Sequence, residues 1–283
     1  MKIKFYTPSH GIDNQAFGAA TFGFAGNEDE RACSSIQFPE EIRGTLIWGS
    51  YEECLQQIPD RPWQAGIVLL GNAGGENAFV HALRAKVGAP LVGGGAAIDP
   101  VSGESGLITG GGQTAVFLMD DDRYDFDVCC ENIHYDVLSE HDITYTDARV
   151  IDLIDGQDAG EWLRAKKEEV GIAWEDFEHL TFSDSNGIDA HLSEKEGRIC
   201  SGRDLQPRMY LRYVPEEKVQ ERMQAFYDDK DAVVFGCAGL KGILKEGLHT
   251  VGIGLFLFGE VCTKGDVSEF GNLMLSKICI RKR

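Results

Sequence analysis

Cys237 and Glu260 are the two side chains of this sequence whose type and spacing best suit them for chemistry. Cys237 follows the apolar run from Val233 to Phe235 and the glycine at 236, and Glu260 follows Gly259 after a second apolar run. Glycine at a strand end lets the backbone take a positive φ or lets another group approach closely. A thiol at a strand-to-helix junction can become a nucleophile, and a carboxylate can bind an ammonium group. Both a binding site and a catalytic site are therefore open interpretations.

The glycine pattern around Cys237 occurs twice in the chain. Val68 to Gly74 and Val233 to Gly239 share the pattern V-x-x-G-x-A-G, and the runs 90–94 and 256–260 then correspond to each other. Each copy ends in another strand-like run. The pattern predicts two related halves, in which residues 66–119 and 232–276 form superposable strand–helix–strand–loop–strand units.

Apolar periodicity supplies the elements that would position these residues. It predicts helices at 52–57, 76–86, 159–170 and 215–227, an antiparallel meander over 124–155, and a turn at Asp155-Gly156. The nearly continuous apolar strands favour an α+β fold of two similar halves. Their mixed or antiparallel sheets are expected to pack face to face with flanking helices, in an α-β-β-α arrangement.

Composition excludes several classes of partner. The formal charge of −19 opposes binding to nucleic acid and to anionic membranes. No apolar stretch reaches the roughly 20 residues of a membrane span, and the first residues do not resemble a signal peptide. We therefore expect a soluble, cytoplasmic chain without a membrane partner. Because the chain is large and shows no export signal, its eight cysteines are expected to be reduced thiols without disulfides. They include no C-x-x-C pair, which argues against a zinc site.

Several segments together resemble the FIST family. They are Ala232 to Gly239, Gly254 to Val261 and Glu269 to Asn272, with Gly93 to Asp99 and His141 to Ala159 further upstream. The resemblance covers about residues 66–280. It implies a FIST N-like half over 1–172, with a shortened N-terminal part, and a FIST C-like half over 173–283.

The resemblance also implies a function. FIST domains are sensory modules thought to bind a small ligand, such as an amino acid or a related metabolite, and to pass the signal to an output domain. No output domain follows the last strand of this chain, so we expect it to signal through a separate protein or to act alone.

A small zwitterion needs backbone N–H donors for its carboxylate and a carboxylate for its ammonium group. If the halves pack about a pseudo-twofold axis, their glycine-rich strand ends line one cleft. The predicted ligand-binding residues are Gly71, Asn72, Gly74, Gly93, Gly94, Gly95, Cys237, Gly239, Glu260 and Asn272, and no catalytic residue, metal or cofactor is assigned.

Two alternatives remain open. The first is a cysteine-dependent hydrolase that uses Cys237 and Glu260, although no histidine has a spacing that ties it to the cysteine. The second is a haem-binding sensor, for which His81 or His249 would be the axial ligand.

Overall fold

Strands account for about half of the residues that the structure describes. The structure, a computed structural model, describes residues 2–6, 24–25, 33–37, 42–71, 74–96, 114–134, 136–229, 232–237, 239–240 and 253–283. Within these ranges it has an α+β fold of four helices and 21 strands. The sequence prediction of an α+β protein is confirmed at this level.

The four helices are α1 (Tyr51–Gln57), α2 (Glu76–Val87), α3 (Ala159–Val170) and α4 (Glu216–Tyr227). All four were predicted from sequence, with bounds within one residue. Their ends follow from local chemistry. Ser50 and Glu53 form a capping box at the start of α1, and glycines in the left-handed region end α2 and α3. None of these four helices is long and apolar enough to span a bilayer.

The strands form two large and two small sheets. In chain order they are β1 (Lys2–Tyr6), β2 (Phe24–Ala25), β3 (Cys33–Gln37), β4 (Gly44–Gly49), β5 (Ala65–Leu70), β6 (Leu91–Gly95), β7 (Thr114–Met119), β8 (Tyr124–Asn132), β9 (Asp136–Thr144), β10 (Val150–Ile151), β11 (Leu153–Ile154), β12 (Gln157–Asp158), β13 (Leu180–Ser183), β14 (Asp189–Ala190), β15 (Leu192–Lys195), β16 (Arg198–Ser201), β17 (Arg208–Tyr213), β18 (Ala232–Cys237), β19 (Ile253–Lys264), β20 (Val267–Gly271) and β21 (Met274–Lys282). A nine-stranded sheet has the order β4-β7-β5-β6-β19-β18-β21-β8, with β20 paired to β19. A six-stranded sheet has the order β12-β11-β9-β17-β13-β14, and the small sheets are β1-β3-β2 and β10-β16-β15.

The two segments that share the glycine pattern have the same strand order in the nine-stranded sheet. In the first, β5 is parallel to β6 and antiparallel to β7, and β4 lies outside β7. In the second, β18 is parallel to β19 and antiparallel to β21, and β8 lies outside β21. The order and direction of these strands therefore agree with the prediction, whereas the helix predicted between β18 and β19 lies outside the described residues.

The segments meet edge to edge through β6 and β19, which differs from the predicted face-to-face packing. The close approach depends on glycine. A Cβ at Gly94 would lie 2.1 Å from the carbonyl oxygen of Gly259, and one at Gly95 would lie 2.4 Å from that of Phe258. Both large sheets take strands from either side of residue 172. The predicted division at that residue does not coincide with a boundary between sheets.

Separate apolar clusters attach the helices to the sheets. Helices α1 and α2 pack on the first segment of the nine-stranded sheet, and α4 packs on the second. Helix α3 packs on the six-stranded sheet. A further cluster takes residues from β4, β5, β6, β7, β18, β19 and β21 on one face of the nine-stranded sheet. Each helix thus buries its apolar stripe against the sheet beside it.

The predicted meander is wrong because β8 and β9 do not pair with each other. Strand β8 pairs with β21, whereas β9 pairs with β17 and β11 in the other sheet.

The prediction of no disulfides is also wrong. Cys130 on β8 is bonded to Cys262 on β19, with their Cα atoms 5.5 Å apart. These cysteines meet because β19 changes partners along its length. Its first half pairs with β18, its second half pairs with β20, and Ser276 of β21 donates to the Val261 carbonyl 3.0 Å away.

Candidate functional site

Cys237 and Glu260 lie in contact at the centre of the second segment. Cys237 is the last residue of β18 and is buried. Burial, and then the charge of Glu260, raise the pKa of the thiol to about 12, although the backbone N–H groups of Leu273, Gly239 and Gly259 lie against the sulfur and oppose the shift. At neutral pH the side chain is therefore a thiol.

Glu260 is fully buried just after a kink in β19. The kink comes at Gly259, whose φ is +74°, and the pairing of β19 with β6 changes register there. Oε2 of Glu260 accepts a hydrogen bond from the Met274 N–H 3.1 Å away. Oε1 has no hydrogen-bond partner among the residues that the structure describes. Burial raises the pKa of this carboxyl well above its ordinary value, which outweighs the opposing contacts with Met274 and Cys237.

Asn272 completes this group of buried polar side chains. Its Nδ2 atom is 2.8 Å from the position that a Cβ at Gly259 would take, and its Oδ1 atom is 2.5 Å from the corresponding position at Gly202. Oδ1 is buried and, within the described part of the chain, accepts no hydrogen bond. Glu260 and Asn272 therefore each present an oxygen that lacks a donor.

Gly93 and Gly94 of the first segment lie beside Glu260, where they allow neighbouring strands to approach closely. Gly94 pairs with Glu260, and Gly93 pairs with Val261. A Cβ at Gly93 would lie 1.9 Å from the Val68 carbonyl oxygen, and the φ of Gly93 is +130°. These positions need glycine because neighbouring backbone occupies the space. Gly239 likewise lies against Leu273, whose Cδ2 atom would be 2.8 Å from its Cβ.

The glycine turn of the first segment lies at the start of α2. Gly71 is buried at the end of β5, and Gly74 is exposed with a φ of +97°. The Gly74 N–H donates to Oε1 of Glu76 at 2.9 Å, and Arg149 pairs with Oε2 of Glu76 at 2.8 Å. A carboxylate of the chain therefore already accepts from this amide. Asn72 lies outside the described residues.

The structure describes one of the two histidines considered for haem. His81 is exposed on α2 with Nε2 at 3.6 Å from Oε1 of Glu269, and His249 lies outside the described residues. No cluster of three or more His, Cys, Asp or Glu side chains in the described ranges could hold a metal ion.

Asp189, which was not predicted from the sequence, raises the pKa of the Glu260 carboxyl through its negative charge. Its only sequence signal is its place in the segment Gly187 to Leu192, where apolar and polar residues alternate.

Comparisons of the chain with protein-family models, with curated proteins and with solved structures give no match. The FIST resemblance stays a prediction from sequence motifs.

Proposed function

We propose that this chain is a FIST-like sensory module of two duplicated halves, and that it binds a small ligand at Cys237, Glu260 and Asn272. The observation that carries the proposal is the pair of buried acceptor oxygens, Oε1 of Glu260 and Oδ1 of Asn272, which lack donors among the described residues. A buried polar group without a partner costs about 1–3 kcal/mol. A ligand that donates hydrogen bonds to these oxygens recovers that free energy.

A ligand with a primary ammonium group, such as an amino acid, fits this pattern. An ammonium group has three donors and no acceptor. Its charge favours the ionised form of Glu260, so binding a cation releases a proton from the buried carboxyl. Because the pKa of Glu260 is raised, we expect affinity to increase as the pH rises towards that pKa. The signal would reach a separate cytoplasmic protein.

The alternative of a cysteine-dependent hydrolase has less support. A nucleophilic cysteine reacts as the thiolate. Burial and the neighbouring carboxyl hold the pKa of Cys237 at about 12, which keeps the sulfur protonated. Glu260 therefore opposes ionisation of the thiol.

Replacing Glu260 with Gln tests the proposal. Gln keeps the volume, keeps an acceptor for the Met274 N–H and matches the neutral form of the acid, so we expect the unliganded protein to keep its melting temperature. A thermal-shift screen against the standard amino acids and simple primary amines should identify a ligand that stabilises the wild type. A hundredfold excess over Kd adds about 2.7 kcal/mol, and Glu260→Gln should lose most of this gain.

The matched control is Glu175→Gln, because Glu175 is exposed on the loop after α3. This variant should respond to the ligand as the wild type does. If Glu260→Gln binds normally, the pocket lies elsewhere. If it unfolds without ligand, Glu260 has a structural role and the proposal fails.

A further inference from the structure

Three side chains far along the chain from Cys237 form a linear hydrogen-bond relay. Oγ of Ser139 lies 2.5 Å from Nε2 of His141, and Nδ1 of His141 lies 2.7 Å from Oδ2 of Asp155. A hydroxyl, an imidazole and a carboxylate joined in this order are the arrangement by which serine hydrolases activate their nucleophile. The relay is recognised by geometry, because such sites recur on unrelated folds in different chain orders.

Two local features of the backbone set this geometry. Ser139 and His141 are two residues apart on β9, so both side chains leave the same face of the sheet. Leu138 is an extra residue opposite β17, since Leu211 pairs with Ser139 and Arg212 pairs with Val137. The bulge lies directly before Ser139, and bulges of this kind redirect side chains beside active sites.

Asp155 is held by a tight hairpin. Asp155 and Gly156 have φ values of 51° and 79° and form the two-residue loop between β11 and β12. Positive φ at both positions is typical of a type I′ turn, so no functional strain is needed to explain it. The Asp142 N–H donates to the second carboxylate oxygen of Asp155 at 2.9 Å. The carboxylate is thus fixed from two sides.

The surroundings fix the imidazole as well. The ring of His141 is edge-on to Trp162 with centroids 4.7 Å apart, and Phe182 packs against it at 6.1 Å. The hydrogen bond from His141 holds the pKa of Asp155 below its ordinary value, so Asp155 is ionised and acts as the acceptor. Nδ1 of His141 therefore carries the proton. Nε2 is then free to accept the proton of Ser139.

The residues around Ser139 form an exposed apolar surface beside an open backbone N–H. Ser139 is half-buried, and the adjoining Val137 and Leu138 are 51% and 42% exposed. The N–H of Glu140 faces the same side of β9 as that of Asp142, because N–H directions alternate along a strand. On that side β11 pairs only with Ile143 and Thr144, so no described strand covers Glu140. A backbone N–H directly after the nucleophile is a usual donor to the oxyanion.

We propose that Ser139, His141 and Asp155 form a hydrolytic site that cleaves neutral esters with an apolar acyl group. The apolar pair Val137 and Leu138 would contact the acyl group. The acidic neighbours Glu140 and Asp142, together with the net charge of −19, disfavour anionic esters. This site is separate from the ligand site proposed above and does not depend on it.

The reaction has two balanced steps. Oγ of Ser139 attacks the ester carbonyl and its proton passes to Nε2 of His141. The carbon–oxygen bond to the alcohol then breaks, and the alcohol leaves with the proton from His141. Water attacks the resulting acyl-serine with His141 again as base, which releases the carboxylic acid and restores Ser139. Asp155 is a positioning residue that keeps the imidazole in the tautomer required.

The test uses the full chain, a fluorophosphonate probe and p-nitrophenyl butyrate. We expect the probe to modify Ser139, as located by peptide mass spectrometry, and Ser139→Ala to reduce ester hydrolysis at least about 10³-fold. Asp155→Asn should lower kcat by roughly 10²- to 10⁴-fold with KM little changed. Ser185→Ala, at an exposed serine in a turn, should match the wild type.

Three results would overturn the proposal. One is the absence of an adduct on Ser139 in folded wild-type protein under conditions that label a known serine hydrolase. Another is labelling that is unchanged in Asp155→Asn and His141→Gln, which would make the relay purely structural. If the anionic p-nitrophenyl hemisuccinate is hydrolysed as fast as the neutral p-nitrophenyl butyrate, the assigned substrate class is wrong. Because the adduct is located on the wild type, the first of these results does not depend on the stability of any variant.

Discussion

Replacing Arg203 with Met is expected to lower the free energy of unfolding by about 3–5 kcal/mol at neutral pH. The Arg203 guanidinium is buried between two buried carboxylates. It lies 2.9 Å from Oδ2 of Asp184 and 2.7 Å from Oε2 of Glu269, and it donates to the Ile188 carbonyl at 3.0 Å. Met fills a similar volume but leaves both acids without their cation, and an uncompensated buried charge is the costly outcome.

This loss of stability should depend on pH. The Asp184 and Glu269 carboxyls both lie against the Arg203 guanidinium. Burial raises the pKa of Asp184, while for Glu269 the contacts with Asp184 and Arg203 outweigh burial and lower the pKa. Without Arg203, both folded-state pKa values rise. Protonation then removes the unpaired charges. The difference in unfolding free energy between the wild type and the variant should therefore become smaller as the pH falls from 7 towards about 4.

Urea unfolding of the wild type and the variant at several pH values measures this gap. Arg198→Ala is the matched control, because Arg198 is exposed and lies 3.8 Å from Asp152 in a surface ion pair. Such pairs contribute about 0–1 kcal/mol. If Arg203→Met loses no more stability than the control, the buried network does not stabilise the fold.

Removing the Cys130–Cys262 disulfide is expected to cost about 2–5 kcal/mol of unfolding free energy. The bond joins residues 132 positions apart. In the chain-entropy model a loop of that length restrains the unfolded chain by about 5 kcal/mol, and measured values are usually lower. The bond also ties β8 to the half of β19 that carries Glu260.

The measurement compares guanidinium unfolding of Cys130→Ala/Cys262→Ala with oxidised wild type, and then repeats both with a dithiol reductant. Reduction should destabilise the wild type and leave the double variant unchanged. Cys200→Ala is the control, because Cys200 is a free, half-buried thiol. Equal stability of oxidised and reduced wild type would contradict the prediction, as would a non-reducing peptide map without the Cys130–Cys262 link.

Local signals in the sequence were sufficient to predict the four helices. Helix α3 was predicted at its observed bounds because an acidic cap, a 3.6-residue apolar period and a following glycine are all encoded within 14 residues. The turn at Asp155-Gly156 has the same origin. The polar relay at Ser139 was missed, since a serine and a histidine two residues apart have no meaning until a hairpin brings Asp155 to them.

The sequence alone determined the four helices and the glycine-rich breaks in the two segments that share the V-x-x-G-x-A-G pattern. Only the tertiary structure decided that β6 and β19 pair edge to edge and that β19 bends at Gly259. It also decided that Cys130 reaches Cys262 and that Cys237 is buried against Glu260. The reason is physical, because hydrophobic periodicity and turn chemistry act over a few residues, whereas the β6–β19 pairing and the Cys130–Cys262 bond join groups more than 100 residues apart.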